Sequence, residues 1–168
     1  MPEEKMYEVR YVDKYEYKLK LEQIHNLVEE KDYKTAAKIA DTINWKKVKS
    51  ASTLCMIGEI YEQTKQFEQS REVLLTAYDR SPVGRNIIYR LTMVAIKMGN
   101  LEEAQEYYEE FLEIAPHDNL KYVLRYELAK AKGAALTELI TILEEFKERE
   151  FTEEWTFELA YLYHKSGN

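Results

Sequence analysis

Apolar residues recur along most of the chain at helical spacing. Leu54, Ile57, Ile60 and Tyr61 fall three, three and one apart, and after a polar break the pattern resumes with Phe67, Val73, Leu74 and Ala77. Residues so placed line one stripe of an α-helix, and such a stripe must be buried against a neighbour. No stretch alternates convincingly as a strand. Tyr7, Val9 and Tyr11 alternate briefly, but Tyr7, Tyr11 and Tyr15 also fit helical spacing, so residues 1–16 form an N-terminal extension open to either reading.

The breaks between stripes are periodic. With only five glycines and three prolines in 168 residues, their positions carry information. Gly99, Gly133 and Gly167 stand 34 apart, and so do Pro82 and Pro116. The same interval leads back to Lys65 and Lys31, each at the end of a helical pattern and two residues before an aromatic, Phe67 or Tyr33. Glycine tolerates the left-handed conformation that closes a helix, and proline cannot continue one. The spacing predicts an array of units, each two helices of about 14 residues joined by a short turn.

The unit that starts at Ala51 carries Leu54, Ile57, Gly58 and Tyr61 in its first helix and Phe67, Leu74, Ala77 and Pro82 in its second, with Ser70 between. On these residues the chain resembles the tetratricopeptide repeat (TPR) family, whose 34-residue helix-turn-helix units follow a W-x-x-L-G-x-x-Y pattern closed by proline. The next unit keeps Ile88, Leu91, Gly99, Ala104, Tyr108 and Pro116 in frame. It has Ala95 where the family has tyrosine and Phe111 where it has alanine, an exchange that predicts volume compensation between the two. The unit near Tyr17 keeps Leu27, Tyr33 and Ala36 but has Val48 in place of proline. The unit from Asn119 keeps Tyr122 and Gly133, puts Arg125 at an apolar place and Tyr126 at a small one, and reads best with its second helix displaced by one residue, as Leu136, Leu139, Leu143 and Phe146.

The resemblance implies an all-α, right-handed α-α superhelical solenoid of about four and a half repeats. Its units lie near 17–50, 51–84, 85–118 and 119–152, with a partial one at 153–168. In that frame Gly167 and Asn168 align with Gly99 and Asn100, the turn before a second helix. The helix from about Glu153 then lacks its partner, which carries the expectation that the natural protein continues and that Leu159, Tyr163 and their neighbours leave an apolar surface suited to end-to-end self-association.

Composition narrows the function. The chain is 45% hydrophobic and 33% charged, and no apolar run approaches the length of a membrane span. "MPEEKMYEVR" has no apolar core of the kind a secretory signal needs. Thirty-one acidic residues face 24 basic ones, for a net charge of −7, and the signs are interleaved, which argues against nucleic acid as a partner. Cys55 is the only cysteine, so neither an intrachain disulfide nor a thiolate metal cage is expected, and a reducing, cytoplasmic setting is favoured. His25, His117 and His164 stand far apart without metal-ligand spacing, and no phosphate loop or nucleophile elbow is present. Neither catalysis nor a cofactor is expected. Acidic stretches such as "EEAQEYYEEF" read as solvated helix faces rather than catalytic carboxylates.

What remains is binding. The resemblance implies that the first helix of each unit lines a concave groove that holds a segment of a partner protein. Carried over by register, the groove places hold Glu59, Glu62, Tyr89, Met93, Lys97, Glu127, Phe157 and Tyr161. The places at which chaperone-tail adaptors of the family grip a C-terminal carboxylate hold Leu21, His25, Met56, Asn86 and Arg90 in the frame from Tyr17, and only the last fits. Tyr89, Met93, Phe157 and Tyr161 are apolar anchors, and Glu59, Glu62 and Glu127 favour a partner segment that is apolar with basic residues. The expected function is a scaffold or adaptor module. The alternative is a structural or self-associating spacer within a larger protein.

Overall fold

The computed structural model describes the backbone of residues 3–167 and the side chains of 14–167, and its described residues form α-helices and turns without a strand. In chain order these are α1 (Glu3–Glu29), α2 (Tyr33–Ala40), a single 3-10 turn (Trp45–Lys47), α3 (Ala51–Gln63), α4 (Phe67–Arg80), α5 (Arg85–Lys97), α6 (Leu101–Ile114), α7 (Leu120–Ala131), α8 (Leu136–Lys147) and α9 (Glu153–Lys165). Of the two readings open for residues 1–16, the helical one holds from Glu3, and α1 passes Tyr17 without a break. The chain divides into two compact units, Met1–Arg80 and Ser81–Asn168.

One local device closes the first helix of each pair. Residues 31, 65, 99, 133 and 167 all have positive φ, between 61° and 91°, although the first two are lysines. At Gly99 the amide donates to the Ile96 carbonyl and the next amide, of Asn100, to that of Ala95, a pair of bonds that satisfies carbonyls the helix end would orphan. Lys65 and Gln66 repeat it on Glu62 and Tyr61, and Lys31 and Asp32 on Val28 and Leu27. The bonding pattern, not the glycine, is therefore what recurs, and the two lysines hold a conformation that a Cβ disfavours.

In Met1–Arg80, the α3–α4 hairpin buries Leu54, Ile57, Ile60, Val73, Leu74 and Ala77. Gly58 makes this possible: a Cβ there would lie 2.6 Å from Leu74 Cγ and Cδ2. Buried Ser70 donates its hydroxyl to the Gly58 carbonyl at 2.6 Å, which ties the two helices at the same level. The pair before it is irregular. Helix α2 has 8 residues against 14 in α4, and the chain from Asp41 to Val48 replaces its last turns. That segment is held from a distance. Arg80 donates Nε to the Val48 carbonyl at 2.9 Å and Nη2 to the Lys46 carbonyl at 3.1 Å, and Tyr61 donates its hydroxyl to Asp41 Oδ1 at 2.8 Å.

In Ser81–Asn168, Ala95 packs with Ala104 and Leu128, whereas Phe111 sits beside Tyr89, their ring centroids 6.5 Å apart. Tyr89 precedes Ala95 by six residues, about 9 Å of helix. The two exchanged residues thus occupy different levels of the α5–α6 hairpin, and the expected compensation between them does not occur. A second cluster joins Tyr126, Leu139, Ile142, Leu143, Phe146, Leu159 and Leu162, with Trp155 against Tyr126 and Phe146 edge-on. Helix α8 starts at Leu136, one residue later than the 34-residue frame would place it, because Ala134 and Ala135 extend the turn after Gly133. The displaced reading of that helix matches the structure: Leu139 is buried and Glu138 exposed.

The expectation for the last helix is corrected in detail. Leu159 is buried in the cluster with α8, and Tyr163 is half-buried with its hydroxyl donating to Glu144 Oε1 at 2.5 Å. The apolar residues that α9 leaves exposed are Phe157 and Tyr161.

Candidate functional site

The first helices α5, α7 and α9 lie in one unit, α5 against α7 and α7 linked to α9 through side chains. Residues one repeat apart occupy the same place on successive helices, so two rows run across them. One row is Tyr89, Val123 and Phe157; the other is Met93, Glu127 and Tyr161. Tyr89, Met93, Val123 and Glu127 are half-buried, while Phe157 and Tyr161 are 67% and 58% exposed. An i, i+4 spacing stacks these two rings on one helical face. Lys165, one further turn along, places its Nζ 5.9 Å from the centre of the Tyr161 ring.

A row of charges accompanies the apolar one. Burial pushes the Glu127 carboxyl above its ordinary range, Glu158 adds to the rise, and Lys130 and Lys97 pull it back. Lys130 also lies 3.7 Å from Glu158, and Glu158 Oε1 accepts from the Tyr126 hydroxyl at 2.5 Å. Lys97, Glu127, Tyr89, Met93, Phe157 and Tyr161 thus all lie in one unit, where Glu127 acts electrostatically with Lys97, Lys130 and Glu158, and Glu158 is bonded to Tyr126. Tyr126 is the large residue at a normally small place, and its reach to Glu158, 32 residues on, gives that exchange a role. Register does not single out Glu158, since the corresponding places hold Arg90 and Leu124.

Glu59 and Glu62 belong to the other unit, on α3. Glu59 is half-buried; Glu62 is 4% exposed and offers almost no surface to a docked chain. Cys55, on the same helix, is half-buried. Among the described residues no three His, Cys, Asp or Glu side chains gather as metal ligands would, and no helix is long and apolar enough to cross a membrane.

A tetratricopeptide repeat family model matches residues 51–83 and 86–118. No curated protein sequence matches the chain. Solved structures do. A tetratricopeptide repeat protein from Parabacteroides merdae ATCC 43184 aligns with a TM-score of 0.73 at 16% identity, over 90% of this chain and 59% of that one, so the chain spans little more than half of that protein's length. MamA from Desulfovibrio magneticus RS-1, from residue 41 to its end, aligns with a TM-score of 0.65 at 14% identity, over 89% of this chain and 85% of the other. YrrB, described as a TPR protein with an unusual peptide-binding site, gives 0.57 at 14% identity, over 89% and 77%. At such identities the likeness establishes the fold: the chain is an all-α solenoid of helix-turn-helix repeats.

Proposed function

We propose that this chain, which carries tetratricopeptide repeats at residues 51–83 and 86–118, is a non-catalytic interaction module that docks a segment of a partner protein on the first-helix face of its Ser81–Asn168 unit. The observation that carries the reading is the exposed Phe157–Tyr161 pair, in register with Tyr89 and Met93, in a unit where Lys97 and Glu158 act on Glu127. Two exposed rings one turn apart are an anchor for apolar side chains, and aromatic anchors dominate the energetics of such interfaces. The half-buried Glu127 carboxylate, disfavoured by its own desolvation, gains from an incoming Lys or Arg. The partner segment is therefore apolar with basic residues. YrrB, whose fold this chain shares, is described as having a peptide-binding site, which supports the class of function and not its detail. Scaffold or adaptor work in the cytoplasm fits a chain of this composition.

A peptide library panned against the immobilised protein tests this. Enrichment of aromatic or aliphatic residues flanked by Lys or Arg is expected, together with its loss in the Phe157→Ser/Tyr161→Ser variant while helicity by circular dichroism is unchanged. Equal capture by that variant would overturn the reading. The same exposed pair supports a second reading, self-association through α9. A sedimentation mass that rises with concentration in the native protein, but not in the double variant, would establish that one instead.

A further inference from the structure

The Met1–Arg80 unit contains a cleft of opposite character. Because α2 stops at Ala40, the stretch from Thr42 to Val48, which holds the 3-10 turn, faces the middle of α1 and leaves a cavity of about 520 Å³, a volume typical of ligand sites. Tyr17, Ile43 and Val48 supply its apolar lining, and Lys14, Lys20 and Lys47 its charge, with Glu16 the one acidic side chain among the described residues that line it. Ile43 and Val48 are themselves buried and Tyr17 half-buried. In a chain of net charge −7 this is a local reversal of sign.

Lys20 sharpens the point. One repeat further on its place is held by Leu54, and two further on by Ile88, both of which are buried core. In this repeat the place lies beside a cleft rather than under a full second helix, and a lysine occupies it half-buried, as its long aliphatic stem allows. The spacing of the charges selects among ligands. Lys14 and Lys20 are six residues apart on α1, about 9 Å along its axis, and Lys47 stands on the opposing segment. One carboxylate cannot reach all three, whereas an extended chain presents every second side chain to one side, about 7 Å apart.

We propose that this cleft docks an acidic peptide segment of a partner protein, seating a large apolar side chain against Tyr17, over the buried Ile43 and Val48, while flanking carboxylates meet Lys14, Lys20 and Lys47. It is separate from the α5–α7–α9 face and selects the opposite charge, so one molecule can hold two chemically distinct segments, one on each unit.

The test is fluorescence anisotropy with a labelled peptide carrying one central Phe and Glu at alternating flanking positions. The native protein binds it, with affinity weakening about tenfold or more as salt is raised from low to high ionic strength. Lys20→Glu/Lys47→Glu lowers affinity by more than about tenfold at low salt. Lys20→Leu, which restores the residue type of the next repeats and so guards against misfolding, weakens binding by a smaller factor while helicity holds. The Phe157→Ser/Tyr161→Ser variant binds this peptide as the native protein does, which keeps the outcome independent of the α5–α7–α9 proposal. Failure of the native protein to bind, indifference to the charge reversal, or loss in the Phe157→Ser/Tyr161→Ser variant would each overturn it. So would a concentration-dependent dimer that Lys20→Glu/Lys47→Glu dissolves, since the occupant would then be a second copy of this chain.

Discussion

Lys65 sits at φ 61° in a turn whose equivalents 34 and 68 residues later are glycines. A side chain in the left-handed region costs about 1–2 kcal/mol, of which glycine's greater freedom in the unfolded chain returns part. Lys65→Gly, and Lys31→Gly in the same way, is expected to raise stability by about 1 kcal/mol, read as a higher urea midpoint with an unchanged slope. The converse is Gly99→Ala. Nothing lies within 4 Å of the Cβ it would add, so its loss of about 1 kcal/mol would come from the backbone alone. Glu127 gives a residue-scale prediction in pH. Its carboxyl is raised in the folded state, so folding binds a proton more readily than the unfolded chain does. Its stability contribution is therefore present below the ordinary glutamate range and lost as pH rises from there through the raised value. Glu127→Gln removes that cost at neutral pH, and the gain over the native protein should shrink to nothing as pH falls below the ordinary range. A gain that is flat with pH would show that desolvation of this carboxylate is not the cause.

At the scale of helices, the hairpin α3–α4 depends on close approach at one level. Gly58→Ala gains about 1 kcal/mol of helix propensity but drives a methyl group into Leu74, and overpacking of this kind costs about 1–3 kcal/mol. Net destabilisation is expected, measurable by chemical denaturation; a net gain would show that Leu74 moves aside freely. The period and the paired helices are legible in sequence because glycine and proline are scarce and fall at fixed intervals, so that even Lys31 and Lys65 are found by counting. The early end of α2 is not. Nothing in Asp41–Lys49 is a glycine or proline, and the bonds that hold the segment come from Tyr61 and Arg80, 20 and 32 or 34 residues away. Local pattern cannot see partners at that distance. The burial of Glu62 on α3 escapes it for the same reason, whereas the shared place of Phe157 and Tyr161 on one helix face follows from register with Tyr89 and Met93.

For the whole chain, each unit has a core of its own. The aromatic and aliphatic cluster around Phe146 and the Ala95–Ala104–Leu128 cluster both lie inside Ser81–Asn168. A protein expressed as residues 81–168 is accordingly expected to keep its helical signal and unfold cooperatively, as arrays held by nearest-neighbour contacts do. A noncooperative melt would show that its core needs the rest of the chain.

The chain's two tryptophans fall one in each unit: Trp45 in the 3-10 turn that α2's early end makes room for, and Trp155 packed edge-on against Tyr126 and Phe146. Each indole is a private optical reporter. With Trp45→Phe the fluorescence belongs to the aromatic cluster alone, and with Trp155→Phe to the segment beside the lysine cleft, so two ordinary emission spectra can follow the fate of each half of one polypeptide separately.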